Sequence, residues 1–182
     1  MVRTEPDEIV GHINNFVING AYHIMNLDVD KNHWDEDIYA MHTKFRVREV
    51  VAKMNREKML KFLEFRLNFL QEELDEAKAA LTALQDLQTS DLQGEARTKK
   101  VVDAADDIVD AMIDLCVVAI GTLDAFQVDA HEAWNRVYAA NMAKRPGIKK
   151  ERPNPLGLPD LVKPEGWIAP SHKNNLGLLK TL

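Results

Sequence analysis

The chain has 182 residues, 46% of them hydrophobic and 29% charged, with a formal net charge of −6. That length can carry one domain with its own core, and that composition excludes a disordered chain. The negative balance argues against duplex nucleic acid as a partner, the lone Cys116 excludes an internal disulfide, and no apolar run approaches the roughly 20 residues of a membrane span.

In chain order, residues 1–34 show no clean period, and we read them as an N-terminal extension with a short helix over Pro6 to Val17. His12, His23 and His33 lack the spacing of a zinc site. Acids in MVRTEPDEIV are foreign to a signal peptide, and with the single cysteine they predict a cytoplasmic setting. A first helix is expected over Trp34 to Lys53, capped at Asp35.

A long helix is predicted over about residues 56–88. On it Phe62, Phe65, Phe69, Glu72 and Glu76 are spaced 3, 4, 3 and 4, one stripe that starts aromatic and ends acidic. Leu63, Leu67, Leu70, Leu74, Ala77, Leu81 and Leu84 keep heptad spacing and are expected to form the core seam, with Glu73 on its flank. Arg66, seven residues before Glu73, would either neutralise the acids or reach a phosphate. A loop around residues 88–98 leads to a third helix from about Lys99 to Ala125. There Asp103, Asp107, Asp110 and Asp114 form an acidic stripe that continues as Val117 and Gly121. Packed antiparallel, the two helices bring their acidic segments to the same level. So many carboxylates facing one another need cations between them, and hard divalent ions take oxygen ligands. The bland alternative is a solvated acidic face, which the apolar continuation of both stripes argues against. Cys116, mid-helix, is expected to be a small core residue.

Asp129 with Glu132 suggests a capping box opening a fourth helix through Lys144, with Trp134, Val137 and Tyr138 in the core. Asn141 and Lys144 share a face near its end, where a lysine also suits the helix dipole. Pro146 stops the helix. Residues 146–182, proline-rich at first and carrying Arg145, Lys149, Lys150 and Lys163 in or beside them, are expected to be an extended surface tail. Its removal beyond Gly147 is expected mainly to raise KM. The whole is read as a single all-α domain, 1–182, with residues 35–145 as its helical core.

Glu72, Glu73 and Glu76, followed after a loop by Asp107-Ile-Val-Asp110, resemble the paired acidic signature of the MazG-like all-α nucleoside triphosphate pyrophosphohydrolases, which include phosphoribosyl-ATP pyrophosphohydrolases and dimeric dUTPases. The family pattern is Glu-Glu-x-x-Glu, then Glu-x-x-Asp, and here Asp107 stands for the second-helix glutamate. Met41-His42-Thr43-Lys44-Phe45, Asn141-Met142-Ala143-Lys144 and Lys163-Pro164-Glu165-Gly166-Trp167 are similar to segments of bacterial and phage-encoded members. The resemblance implies a four-helix-bundle-like fold and cleavage of a (d)NTP at the α-phosphate to (d)NMP and pyrophosphate, in nucleotide-pool control or house-cleaning. It implies Mg2+ or Mn2+ as cofactor, Glu72 and Glu73 as catalytic, and Glu73, Glu76, Asp107, Asp110 and Asp114 as metal-holding, with Asp107/Asp110 or Asp110/Asp114 as the second pair. His42 and Phe45 fall near the substrate base, and Asn141, Lys144, Arg145 and Lys163 near its phosphates. A homodimer or homotetramer is expected. A carboxylate-bridged di-iron bundle is excluded, because no Glu has His three residues on. The other class of function is a non-catalytic helical bundle that binds nucleotide or protein.

Overall fold

The computed structural model describes residues 34–149, 151, 156 and 160–182; the expected helix at Pro6 to Val17 and the three N-terminal histidines lie outside these. The protein is all-α, as expected. Where one first helix was predicted there are two, α1 Trp34–Lys44 and α2 Val47–Ala52. Arg46 between them adopts a left-handed φ of 58°. The break has a geometric reason. His42 and Val51 are both buried, at 5% and 1% exposure. Nine residues apart on one helix they would face opposite ways, and the turn at Arg46 lets both face inward.

α3 (Arg56–Thr89) and α4 (Gly94–Ala125) form a long antiparallel hairpin. α3 starts at Asn55, whose Oδ1 accepts from the Lys58 amide at 2.9 Å, satisfying one of the orphan donors of the first turn. The loop is shorter than expected, because α4 begins at Gly94 and not near Lys99. Arg97, in the first turn of α4, donates to the Leu87 carbonyl near the end of α3, which ties the two ends together.

The predicted seam holds in part: Ala77 is buried and Leu63, Leu70 and Leu84 are half-buried, but Leu67, Leu74 and Leu81 are not in it. Residues of α3 facing inward are Met59, Arg66, Glu73, Ala80 and Leu87, a strict heptad of buried or half-buried positions, with Ala77 beside them. Opposite lies the buried heptad Ala104, Ala111, Val118 and Ala125 of α4. Small residues let the two backbones approach closely, and that close approach selects this face over the leucine face. Leu67, Leu74 and Leu81 point outward, at 55%, 39% and 49% exposure. On α4 Val102, Val109, Met112, Ile113 and Cys116 likewise make an exposed stripe, so Cys116 is a surface residue and not a core one. Of the aromatic stripe, Phe62 and Phe69 are half-buried and Phe65 is exposed.

The densest packing lies at the end of the hairpin remote from its loop. There Val51, Met59, Ala125, Phe126 and Val128 are buried, with Phe62, Leu63 and Leu123 against them. α5 (Ala130–Met142) follows, and the Asp129 side chain accepts from the Glu132 amide at 2.8 Å as predicted. The reciprocal half of the expected capping box is absent. The Asp129 amide donates instead to Asn175 Oδ1 at 2.9 Å, while Glu132 pairs with Arg136. Trp134, Val137 and Tyr138, expected in the core, are exposed, because α5 leans on the rest through its start. The Trp134 ring meets Trp34 edge-on at 5.4 Å.

The tail is not merely extended. β1 (Arg145–Gly147) pairs antiparallel with β2 (Asp160–Val162), Pro146 opposite Leu161. The last residues form a 3-10 turn, Gly177–Thr181, whose Leu178 amide donates to the Phe126 carbonyl at 2.7 Å. Leu178, Leu179 and Leu182 pack on the core. Removing everything beyond Gly147 would therefore strip apolar cover from Phe126 and lower stability, so its effect would not be confined mainly to KM.

Candidate active site

Arg66 sets the register of the α3–α4 pair. Its Nε donates to Thr122 Oγ1 at 3.0 Å and its Nη2 to the Val118 carbonyl at 2.8 Å. Burial holds its guanidinium below the usual value, but an arginine there remains charged. The guanidinium is thus committed to α4 and not to the acids; Nη1 takes part in none of the hydrogen bonds among the described residues.

Two turns further along α3, Glu73 comes level with the acidic part of α4. Its carboxyl is held above the ordinary glutamate range, first by burial and then by the charges of Glu76, Asp114, Glu72 and Asp110. So four of the other five predicted carboxylates act on Glu73, two from its own helix and two from across the hairpin. Asp107, a turn nearer the loop, is not among the charges acting on Glu73. Of the acids on α4, Asp110 and Asp114 are the two whose charges act on Glu73. Neighbouring acids are neutralised: Lys78 pairs with Asp75 at 2.9 Å and Lys99 with Asp103 at 2.7 Å. Among the described residues no such ion pair reaches Glu72, Glu73, Glu76, Asp107, Asp110 or Asp114. Nor, among the described residues, do three or more Asp, Glu, His or Cys side chains stand in metal-holding geometry, so the carboxylates share a face without sharing a point. As a donor set they suit a hard divalent cation: all oxygen, several charges, no competing cationic side chain.

Nearer the end of the hairpin remote from its loop lies a feature the sequence showed only in part. His42 is buried, and its Nδ1 donates to Asp124 Oδ2 at 2.8 Å. Arg48 Nη1 stands 3.6 Å from the other Asp124 oxygen, and its guanidinium lies 4.8 Å from the centre of the Tyr39 ring. An open cleft of about 370 Å³ adjoins, lined in part by Asp35, Tyr39, Arg48, Asp124 and His131. Phe45, grouped with His42 in the sequence, is instead exposed at the end of α1. Gly121 explains how His42 and Arg66 come together. A Cβ there would lie 3.0 Å from Arg66 Nη2 and 3.2 Å from His42 Nε2.

The basic residues gather separately. Lys144 Nζ donates to Asn141 Oδ1 at 2.8 Å, and Lys144 and Lys163 lie 5.7 and 4.6 Å from the centre of the Trp167 ring. Trp167 Nε1 donates to the Ala140 carbonyl at 2.7 Å, which anchors the tail to α5. Arg145 opens β1, and Lys149 pairs with Asp160 at 3.1 Å. None of the hydrogen bonds or ion pairs among the described residues joins this group to the carboxylates.

The model of the phosphoribosyl-ATP pyrophosphohydrolase family matches residues 39–141, more than half of the chain and both acidic helices. The chain belongs to that family. No curated protein matches the sequence significantly. Membership makes this a hydrolase of phosphoanhydrides with a nucleotide pyrophosphohydrolase type of activity, in a family that is generally dependent on divalent metal. No helix among the described residues is long and apolar enough to cross a membrane.

Proposed function

We propose that the protein cleaves a nucleoside triphosphate between its α- and β-phosphates, releasing the monophosphate and pyrophosphate, in the cytoplasm and with Mg2+ or Mn2+. The observation that carries this reading is Glu73, half-buried on the helix seam, facing Glu76, Asp110 and Asp114 with no cationic side chain between them. In this reading Glu73, Glu76, Asp110 and Asp114 hold the metal, with Asp107 at the edge. The metal would neutralise charge on the phosphates and lower the pKa of an attacking water. Glu72 and Glu73 orient that water and accept its proton. Arg66, fixed to α4, offers its remaining donors toward the nucleotide, and His42 meets its nucleoside end. Asn141, Lys144, Arg145 and Lys163 supply donors to the phosphate oxygens.

Two copies are part of the proposal. The outward leucine face of α3 and the valine-rich face of α4 are more apolar than a monomer's surface ordinarily shows, and a second copy is the simplest cover. A second copy, or a movement of the tail, must also bring the Lys144 group to the carboxylates.

The test is pyrophosphate release over a panel of nucleoside triphosphates and phosphoribosyl-ATP, with and without Mg2+ or Mn2+. Metal-dependent turnover that Glu73→Gln and Asp110→Asn each reduce by at least about 100-fold is expected. Full activity in both variants rejects the site, and turnover of phosphoribosyl-ATP alone rejects the substrate class.

A further inference from the structure

The inward faces of α3 and α4 meet through small residues, Ala77 and Ala80 on one helix and Ala104 and Ala111 on the other. Alanines let two helices come close, but they project little into the facing groove, so apolar packing alone leaves the pair weakly registered along its axis. Among the described residues, hydrogen bonds tie α3 to α4 at two places. Arg97 donates to the Leu87 carbonyl beside the loop, and Arg66 grips α4 on the far side of the acids.

The second tie has a receptor built for it. Arg66 Nε donates to Thr122 Oγ1 at 3.0 Å and Nη2 to the Val118 carbonyl at 2.8 Å, while the Thr122 hydroxyl donates to that same carbonyl at 2.7 Å. One hydroxyl thus accepts from the guanidinium and is itself aimed by the carbonyl the guanidinium uses. Gly121 keeps the approach open, since a Cβ there would stand 3.0 Å from Nη2. A planar guanidinium held by two donors fixes direction as well as distance, and setting register is the best-attested use of a half-buried polar group in a helix seam. From this point, seven residues onward along α3 end at Glu73, and seven back from Val118 and Thr122 along α4 end at Ala111 and Leu115. Asp114 lies inside that interval and Asp110 borders it, so grip and acids keep step over roughly 10 Å. Seating α4 one residue out of step would move its carboxylates by about 1.5 Å along the axis and swing them by about 100°.

We propose that Thr122 is a positioning residue for the divalent cation: by seating Arg66 on α4 it holds the register at which Glu73 meets Asp110 and Asp114, and so sets cation affinity from two helix turns away. The assignment rests on the proposed metal site. A Thr122 that only stabilised the hairpin would lower the melting temperature and leave the affinity of the folded protein alone.

The experiment is a calorimetric titration of the full-length protein with Mg2+ alone, beside a melting curve for each variant. Thr122→Val keeps the shape and loses the acceptor, so its Mg2+ Kd should rise about tenfold, while Thr122→Ser, which keeps the hydroxyl, should bind as wild type does. Gly121→Ala favours the helix yet crowds Nη2, so it too should weaken Mg2+ binding, and it decides the matter if Thr122→Val does not fold. Val51→Ala, in the core at the hairpin end remote from the loop, should melt lower with Mg2+ binding unchanged. The cost of Asp114→Asn should shrink to about threefold or less in the Thr122→Val background, because a ligand already out of step has less to lose. Wild-type affinity in folded Thr122→Val, an undiminished cost of Asp114→Asn in that background, or equal weakening by Val51→Ala overturns the positioning role and leaves the metal site standing. A wild-type protein that binds no Mg2+ overturns both.

Discussion

A glutamate on a helix seam is costly unless something uses it. Glu73 occupies a position whose heptad neighbours are Arg66, committed to α4, and the buried Ala80, and four like charges act on it. Its carboxyl is raised, so the folded protein holds that proton to higher pH than the unfolded chain does. Glu73 therefore adds stability at low pH that is lost as pH rises from about 4 through its raised value. Melting curves across that range should show Glu73→Gln converging on wild type at the acid end and melting higher at neutral pH, where the repulsion is gone. Equal melting temperatures at neutral pH would mean that the charges do not meet. A second residue-scale prediction concerns the ligands. Asp114 acts on Glu73 and Asp107 does not, so Asp114→Asn should weaken Mg2+ binding by about tenfold or more in a calorimetric titration, and Asp107→Asn by much less. The reverse order would move the site a turn toward the loop. Both acidic stripes were legible from spacing alone, but the choice within the second was not. Asp107, Asp110 and Asp114 share one face, and only the register set by Arg66 on Val118 and Thr122 distinguishes them. Asp124 was illegible for another reason: a lone acid late in a helix has no period, and its meaning lies in His42, 82 residues away.

At the scale of elements, amphipathic period gave the long helices well and the packing face poorly. Leucine dominates any apolar count, so Leu67, Leu74 and Leu81 drew the seam toward themselves; Ala77 was correctly placed in it, but Ala80, Ala104 and Ala111, on which the structure also packs, were not. Alanine carries little hydrophobic signal but permits the closest approach of two helices. The break at Arg46 was invisible because no Gly or Pro marks it. The tail was misread because prolines announce an extended chain and say nothing of its last eight residues. Those residues dock through Gly177, at a φ of +49° with a Cβ position 2.2 Å from the Phe126 carbonyl, and through Asn175, which bonds both the amide and the carbonyl of Asp129. Gly177→Ala should therefore detach the turn and lower stability by several kcal/mol, and Asn175→Ala by about 2 kcal/mol through two lost backbone bonds. Ile168→Ala, at a site 83% exposed, should do nothing measurable. Urea titrations of the three variants check this, and an unchanged midpoint for Gly177→Ala would refute the docking.

For the whole molecule, the question is why a hairpin of a 34-residue and a 32-residue helix keeps apolar residues on two sides. The inward side is used within the chain. The outward side carries Leu67, Leu74 and Leu81 on α3 and Val102, Val109, Met112 and Ile113 on α4, over the middle of one helix and the loop-side half of the other. Two such hairpins packed face to face make a four-helix arrangement that covers both sets, and a two-fold axis lets each copy present the same surface to the other. Glu73 and Asp114 are half-buried at the edge of the inward seam and Glu72, Glu76 and Asp110 are exposed beside it, so assembly through the outward apolar face would fix the helices that carry them. A charge placed mid-face should then break the assembly without touching the site. Val109→Glu combined with Leu74→Glu should convert a dimer or tetramer to monomer in light scattering at micromolar concentration. It should also lower the melting temperature by more than about 5 °C, because the freed faces return to water. Magnesium binding by the monomer should persist if the carboxylates of one hairpin suffice for the metal, while turnover falls if the Lys144 group must come from the second copy. A wild-type protein that scatters as a monomer would remove this account of the exposed faces altogether.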